Sequence, residues 1–196
     1  MRSRMGIAAL LCAWVFVAGC GTEEPEVGPP SDRTHYPEGP YGTREGDTIA
    51  NYAFTTLDGE TFYLDDHVFK NPHNRVLLLS SVAGWCGPCR QEQPQLKAWH
   101  NEYAKRGLII VEGIFQKNDY APATLADVEA WQKQYKLPFP VTLDHDFVLA
   151  PFYSTDNPSP PLTIVVDVDD MKILKVVIGK GNEQLIESLI LANLPR

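Results

Sequence analysis

The chain has 196 residues and a formal charge of −8 at pH 7, a length that predicts one domain with enough residues for a hydrophobic core. The acidic balance excludes nucleic acid as an expected partner, because binding to phosphates requires a basic surface. The charge otherwise concerns solubility and does not indicate a substrate.

Residues 1–19 are predicted to be a lipoprotein signal peptide. Arg2 and Arg4 precede an apolar run of about a dozen residues, which is short for a membrane-spanning helix and typical of a signal peptide. The run ends in the letters VAGC at 17–20, which resemble a bacterial lipobox. The resemblance implies cleavage before Cys20 and attachment of lipid to its sulfur. An ordinary secretory signal is the alternative.

Residues 20–46 are predicted to be the lipidated Cys20 followed by a flexible tether. They are rich in Pro, Gly and Glu and poor in branched apolar residues, so they bury too little surface to offset the entropy cost of ordering. The folded domain is expected over 47–196. These predictions locate the protein in the cell envelope, anchored to a membrane and facing the periplasm or extracytoplasmic space.

Apolar runs and turn residues predict the elements of the domain in chain order. A β-hairpin that turns at Asp58-Gly59 comes first, then a buried strand over 75–81 and an amphipathic helix over 87–106. The later elements are a strand at 108–115, a helix at 124–135, a short strand at 141–143, a hairpin of strands at 162–168 and 172–178, and a helix at 183–194. This order predicts an α/β fold with a mixed sheet that has parallel central strands, an antiparallel edge and flanking helices.

The letters WCGPC at 85–89 stand between the buried strand and the first helix. The free amides and the positive dipole end of that helix stabilise a thiolate at Cys86, and Trp85 can cover one side of it. Cys89 lies one turn further along on the same side. We therefore expect Cys86 to be an exposed nucleophile and Cys89 a more buried resolving thiol, and the two to form a disulfide as substrate is reduced.

Counting cysteines weighs against two other uses of the pair. Cys12 leaves with the signal peptide and Cys20 carries lipid, so Cys86 and Cys89 are the remaining thiols. A zinc site usually has four ligands, commonly two such pairs, and a structural disulfide of this span removes little chain entropy. Outside the cytosol a disulfide can persist. The pattern favours redox chemistry, and neither a metal nor a cofactor is predicted.

Three segments, RVLLLSSVAGWCGPCRQEQPQL, PFPVTLDHDFVLAPFY and PPLTIVVDVDDMKILKVVIGKG, resemble in this order thioredoxin-like proteins of the TlpA/ResA type. These are membrane-tethered extracytoplasmic thiol–disulfide oxidoreductases, and the resemblance covers about 47–195. It implies a thioredoxin fold with an N-terminal β-hairpin and a βα insertion. It also implies protein dithiols or disulfides as substrates and a membrane-bound electron donor.

The resemblance carries over to further residues. Glu92 matches the glutamate of the family pattern CxxCxxE, which implies proton exchange as Cys89 ionises; a solvated helix carboxylate is the alternative. Pro161 matches the proline before the family's fourth strand, where the preceding bond is cis and the loop packs beside the nucleophile; an ordinary loop is the alternative. Pro160 offers substrate a carbonyl but no N–H. Ser80 occupies the position of the buried aspartate of cytosolic thioredoxins, which shifts the expected proton exchange to Glu92.

The predicted function is reduction of disulfides in cell-envelope proteins, with apocytochrome c as one use known in the family. A peroxidase of the peroxiredoxin type is one alternative, although it requires a PxxxTxxC context and Ala83 occupies the threonine position. A copper chaperone of the Sco type is another, although that family uses CxxxC and a distal histidine, whereas the spacing here is CxxC.

Overall fold

The computed structural model describes residues 33–153 and 159–195. The predicted signal peptide, Cys20 and the first part of the predicted tether lie outside these residues. Within the described part of the chain, no helix has both the length and the apolar character that crossing a bilayer requires.

A mixed sheet forms the centre of the domain. Its strands are β1 Ala53–Thr55, β2 Thr61–Tyr63, β3 Val76–Ala83, β4 Leu108–Gln116, β5 Val141–Leu143, β6 Leu162–Asp167 and β7 Lys172–Ile178. Their order across the sheet is β2-β1-β5-β4-β3-β6-β7. The central strands β5, β4 and β3 run parallel, and the outer pairs on both sides are antiparallel. The mixed sheet is confirmed, with antiparallel strands at both edges where one antiparallel edge was predicted.

Three helices lie against this sheet in the described residues: α1 Gly87–Tyr103, α2 Leu125–Tyr135 and α3 Glu183–Asn193. A 3₁₀ turn extends α1 to Gly107, whose φ of 108° lies in the left-handed region that suits glycine at a helix end. A capping box of Thr124 and Asp127 begins α2. The sequence did not predict the π-helical turn at Asp65–Phe69.

The core lies on both faces of the sheet. All eight residues of β3 are buried, which explains why its sequence does not alternate and is apolar apart from Ser80 and Ser81. Leu78 packs with residues of the three helices on one face, and Leu77 packs with the N-terminal hairpin region on the other. Because β3, β4 and β5 run parallel, their carboxyl ends meet at one edge of the sheet, where α1 begins.

The chain before residue 47 packs against the domain, so the predicted domain boundary is too late. Arg33 is 7% exposed, and the Tyr36 hydroxyl donates to the carbonyl oxygen of Ile49 at 3.0 Å. Among the described residues, the Arg33 guanidinium binds one carboxylate and three carbonyl oxygens, those of Asp169, Phe69, Asn71 and Asn74. Composition predicted a tether because it averages over the segment, whereas a few side chains with specific partners order residues 33–46.

Candidate active site

Cys86 and Cys89 form a disulfide at the start of α1, with their Cα atoms 5.3 Å apart. Cys86 is the N-cap residue, and its Sγ accepts the backbone N–H of Cys89 at 3.0 Å. Pro88 stands in the first turn, where its missing N–H removes no helical hydrogen bond. When the disulfide is reduced, the same amide and the dipole of α1 favour the thiolate form of Cys86.

The predicted exposure of Cys86 is wrong for the disulfide form. Cys86 is 1% exposed and Cys89 is 0% exposed. The cover comes from the loop before β6, because the Cys86 Sγ lies 3.4 Å from the carbonyl oxygen of Pro160. Sequence position alone suggested exposure, since the residue caps a helix, but the loop that covers it is 74 residues away in the chain.

Pro161 lies where the resemblance implies. It immediately precedes β6, the bond between Pro160 and Pro161 is cis, and both prolines are buried. The carbonyl oxygen of Pro161 accepts the N–H of Gly179 at 2.7 Å, which ties the loop to the chain after β7. Among the described residues of this loop, Pro160 contacts the disulfide through its carbonyl oxygen.

Trp85 joins the turn before the disulfide to the segment after β4. Its indole N–H donates to Oε1 of Gln116 at 3.0 Å, and its ring centroid lies 5.1 Å from that of Tyr120, which is 65% exposed. At Gly84 a Cβ atom would lie 3.0 Å from the backbone nitrogen of Asn118. The two segments approach so closely that a side chain at position 84 has no room.

A cleft opens beside this turn. Residues of the turn, of α1, of β4 and the segment after it, and of α2 line it. Its members are Gly84, Arg90, Ile114, Gln116, Lys117, Asn118, Asp127, Ala130, Trp131 and Gln134. Six of these residues are polar or charged and four are not, so the cleft offers a polypeptide both hydrogen-bonding groups and apolar contacts.

Glu92 lies on α1, one turn beyond Cys89, and is 9% exposed. Burial raises its pKa to about 7; the carboxylates of Glu183 and Glu112 add to this, and Lys180 opposes it. The alternative of a solvated helix carboxylate does not fit this burial. A carboxyl group with such a pKa is suited to exchange protons near neutral pH, and its catalytic role stays a prediction.

Sequence reasoning missed a buried polar network next to the disulfide. Glu112 on β4 is 0% exposed and accepts hydrogen bonds from the side chains of Gln93 at 2.7 Å and Trp131 at 2.8 Å. Gln93 also donates to the carbonyl oxygen of Cys89 at 3.0 Å. Burial raises the pKa of Glu112 to about 7, and the two hydrogen bonds oppose that rise. A glutamate within the apolar run LIIVEGIF was the available signal.

Two other predictions concern ligands and lipid. Cys20 lies outside the described residues, so its lipidation stays a prediction. Across 33–153 and 159–195, no three His, Cys, Asp or Glu side chains are grouped as metal ligands would be.

A mixed sheet with flanking helices, together with a CxxC disulfide at the N-terminus of α1, defines a thioredoxin-like thiol–disulfide oxidoreductase. The predicted fold class is confirmed. The AhpC/TSA family model matches residues 46–175, and the chain belongs to this family.

Individual relatives agree with this class. The chain is 31% identical over 126 residues to the thioredoxin-like protein YneN of Bacillus subtilis (strain 168), a match that covers 64% of this chain and 67% of the relative. It is 26% identical to a thiol-disulfide oxidoreductase ResA of Bacillus cereus, over 74% and 76% of the two chains. A thioredoxin-family thiol:disulfide interchange protein from Chlorobium tepidum TLS shares the fold, with a TM-score of 0.59 at 18% identity over 78% and 98% of the chains.

Proposed function

We propose that this protein reduces disulfides of cell-envelope proteins through the Cys86/Cys89 dithiol. The observation that carries the proposal is the Cys86 sulfur at the N-cap of α1, which accepts the N–H of Cys89 at 3.0 Å. The Cys86 thiolate attacks one sulfur of the substrate disulfide, forms a mixed disulfide and releases the other sulfur as a thiolate. The Cys89 thiolate then attacks Cys86, which closes the Cys86–Cys89 bond and releases the second substrate sulfur.

A protein substrate suits the surroundings of the disulfide. The carbonyl of Pro160 lies beside the Cys86 sulfur and offers an acceptor for strand-like pairing with an extended polypeptide. The exposed ring of Tyr120 and the cleft beside Gly84 extend this surface. Apocytochrome c, with paired cysteines, is one candidate substrate on the basis of the resemblance to the TlpA/ResA type. A membrane-bound donor returns two electrons and two protons to the disulfide after each cycle.

The lipid anchor proposed at Cys20 would keep the domain near membrane-bound partners. Mass spectrometry of the mature protein isolated from membranes is expected to show an N-terminal Cys20 that carries a diacylglycerol thioether and an acyl chain. Detection of a free thiol at Cys20, or of a chain that begins elsewhere, would contradict the anchor and leave the redox proposal standing.

The direction of electron flow is tested by the equilibrium of the purified protein with dithiothreitol. Gly-Pro between the cysteines resembles strongly reducing thioredoxins, so we expect a potential near that of thioredoxin, about −270 mV. A potential close to the roughly −120 mV of the oxidant DsbA would instead indicate an oxidase. Two parallel assays separate the alternatives: rapid peroxide consumption would favour a peroxidase, and stoichiometric copper binding by the reduced protein would favour a chaperone.

A further inference from the structure

One side chain links the buried carboxyl of Glu112 to the active site. The amide nitrogen of Gln93 donates both to Oε1 of Glu112, at 2.7 Å, and to the carbonyl oxygen of Cys89, at 3.0 Å. The proposed reaction assigns no role to Gln93 or Glu112. We propose that Glu112, acting through Gln93, is a positioning residue that sets how readily the Cys89 thiol ionises.

The orientation of Gln93 is determined by its two acceptors. The carbonyl of Cys89 and the carboxylate of Glu112 can both accept, so the amide nitrogen has to face them. The Oε1 atom of Gln93 is buried and has no hydrogen-bond partner among the described residues, a cost that the two N–H bonds offset. Trp131 donates to the other oxygen of Glu112 at 2.8 Å, which holds the carboxylate in place.

Among the described residues, no cation pairs with the Glu112 carboxylate, and Lys180 acts on the neighbouring Glu92. Among the described residues, the titratable groups near Glu112 are Cys89 and Glu92, both on α1, and no ion pair to Glu112 occurs. Uncharged residues face it from the other elements packed against it: Ser80 and Val141, in register on β3 and β5, and Trp131 on α2. An ionised Glu112 therefore opposes a second negative charge at the Cys89 sulfur.

Protonation of Glu112 removes the electrostatic repulsion between its carboxylate and a thiolate at Cys89. Burial raises the pKa of Glu112 to about 7, so both of its forms are populated near neutral pH. The consequence for the reaction depends on the proposed function, in which Cys89 loses its proton and its thiolate attacks Cys86. The Cys86–Cys89 bond forms, the bond from Cys86 to the substrate sulfur breaks, and that sulfur leaves as a thiolate and takes up a proton. Since only the thiolate attacks, Glu112 sets the rate of this step.

The test is a pH titration of the reduced full-length protein, followed by the ¹³Cβ chemical shifts of its two active-site cysteines. In Glu112→Gln the ionisation constant of Cys89 is expected to rise by roughly tenfold. Gln93→Met is expected to shift it in the same direction by a smaller factor, because Glu112 without this donor stays protonated to higher pH. The double variant is expected to shift no further than Glu112→Gln, because the two residues act as one unit.

Thr142→Val provides the matched control. The Thr142 hydroxyl donates to the backbone carbonyl of Glu112 at 3.1 Å, so the variant loses a buried hydrogen bond next to Glu112 but keeps both donors to its carboxylate. It is expected to lower stability and to leave the ionisation constant of Cys89 within about twofold of the wild-type value.

An unchanged Cys89 titration in Glu112→Gln, or an equal shift in Thr142→Val, would overturn the role of Glu112. If Glu112→Gln does not fold, the same titration is done on Gln93→Met. An unchanged ionisation constant of Cys89 in that variant would overturn the proposal. The titration uses no substrate. A protein that shows the shift and yet fails to reduce insulin would contradict the proposed function and leave the role of Glu112 intact.

Discussion

Cys86→Ser is expected to lower the rate of insulin disulfide reduction by roughly 10³-fold or more, because a neutral hydroxyl replaces the attacking thiolate. The serine oxygen can still accept the N–H of Cys89, since serine is a favoured N-cap residue. The start of α1 should therefore persist, and the lower rate would result from loss of the attacking thiolate and not from unfolding. The assay follows insulin precipitation with dithiothreitol as the electron source, and urea unfolding of the same variant checks that its stability is retained.

Cys89→Ser separates the two steps of the proposed reaction. This variant keeps the attacking thiolate at Cys86 and lacks the thiol that resolves the mixed disulfide, so it is expected to accumulate one covalently bound substrate per chain. Mass spectrometry under non-reducing conditions should place the adduct on Cys86 and find none in Cys86→Ser. A Cys86→Ser protein as fast as wild type, or a Cys89→Ser protein without an adduct, would show that the two roles are misassigned.

Glu92→Gln is expected to slow insulin reduction at pH 7 by about 10- to 100-fold, because it removes the carboxylate that is predicted to accept the Cys89 proton. The cysteine titration should change with it, since a negative charge near the thiols is lost. An exposed glutamate of the same helix, Glu102, offers a control: Glu102→Gln should leave both rate and titration unchanged. An unaltered thiol titration in Glu92→Gln would remove the role assigned to Glu92.

The stability of Glu92→Gln should depend on pH in a defined direction. Burial raises the pKa of Glu92 from 4.5 to about 7 in the folded protein, so the folded state binds this proton more tightly than the unfolded chain. The stabilisation is complete below about pH 4.5 and is lost as the pH rises through 7. Relative to wild type, the free energy of unfolding of Glu92→Gln should therefore rise by about 2–3 kcal/mol between pH 5 and pH 8. A constant difference across this range, measured in urea, would contradict the burial of an ionising carboxyl.

The amino-acid pattern alone determined the order of the elements and the position of the reactive pair. The continuous apolar run of β3 indicated a strand covered on both faces, and WCGPC after it located the N-terminus of α1. Counting cysteines singled out Cys86 and Cys89. These features were accessible because each depends on neighbours along the chain, through periodicity, capping or local spacing.

Only the tertiary structure decided what surrounds that pair. The loop that covers Cys86 comes from 74 residues away, and Gln93 meets Glu112 across a helix–sheet contact between positions 19 residues apart. The composition of residues 33–46 predicts a tether, yet Arg33 and its distant partners hold this segment against the domain. Burial and pairing between segments far apart in sequence depend on how the layers pack, and the raised pKa values of Glu92 and Glu112 follow from that packing.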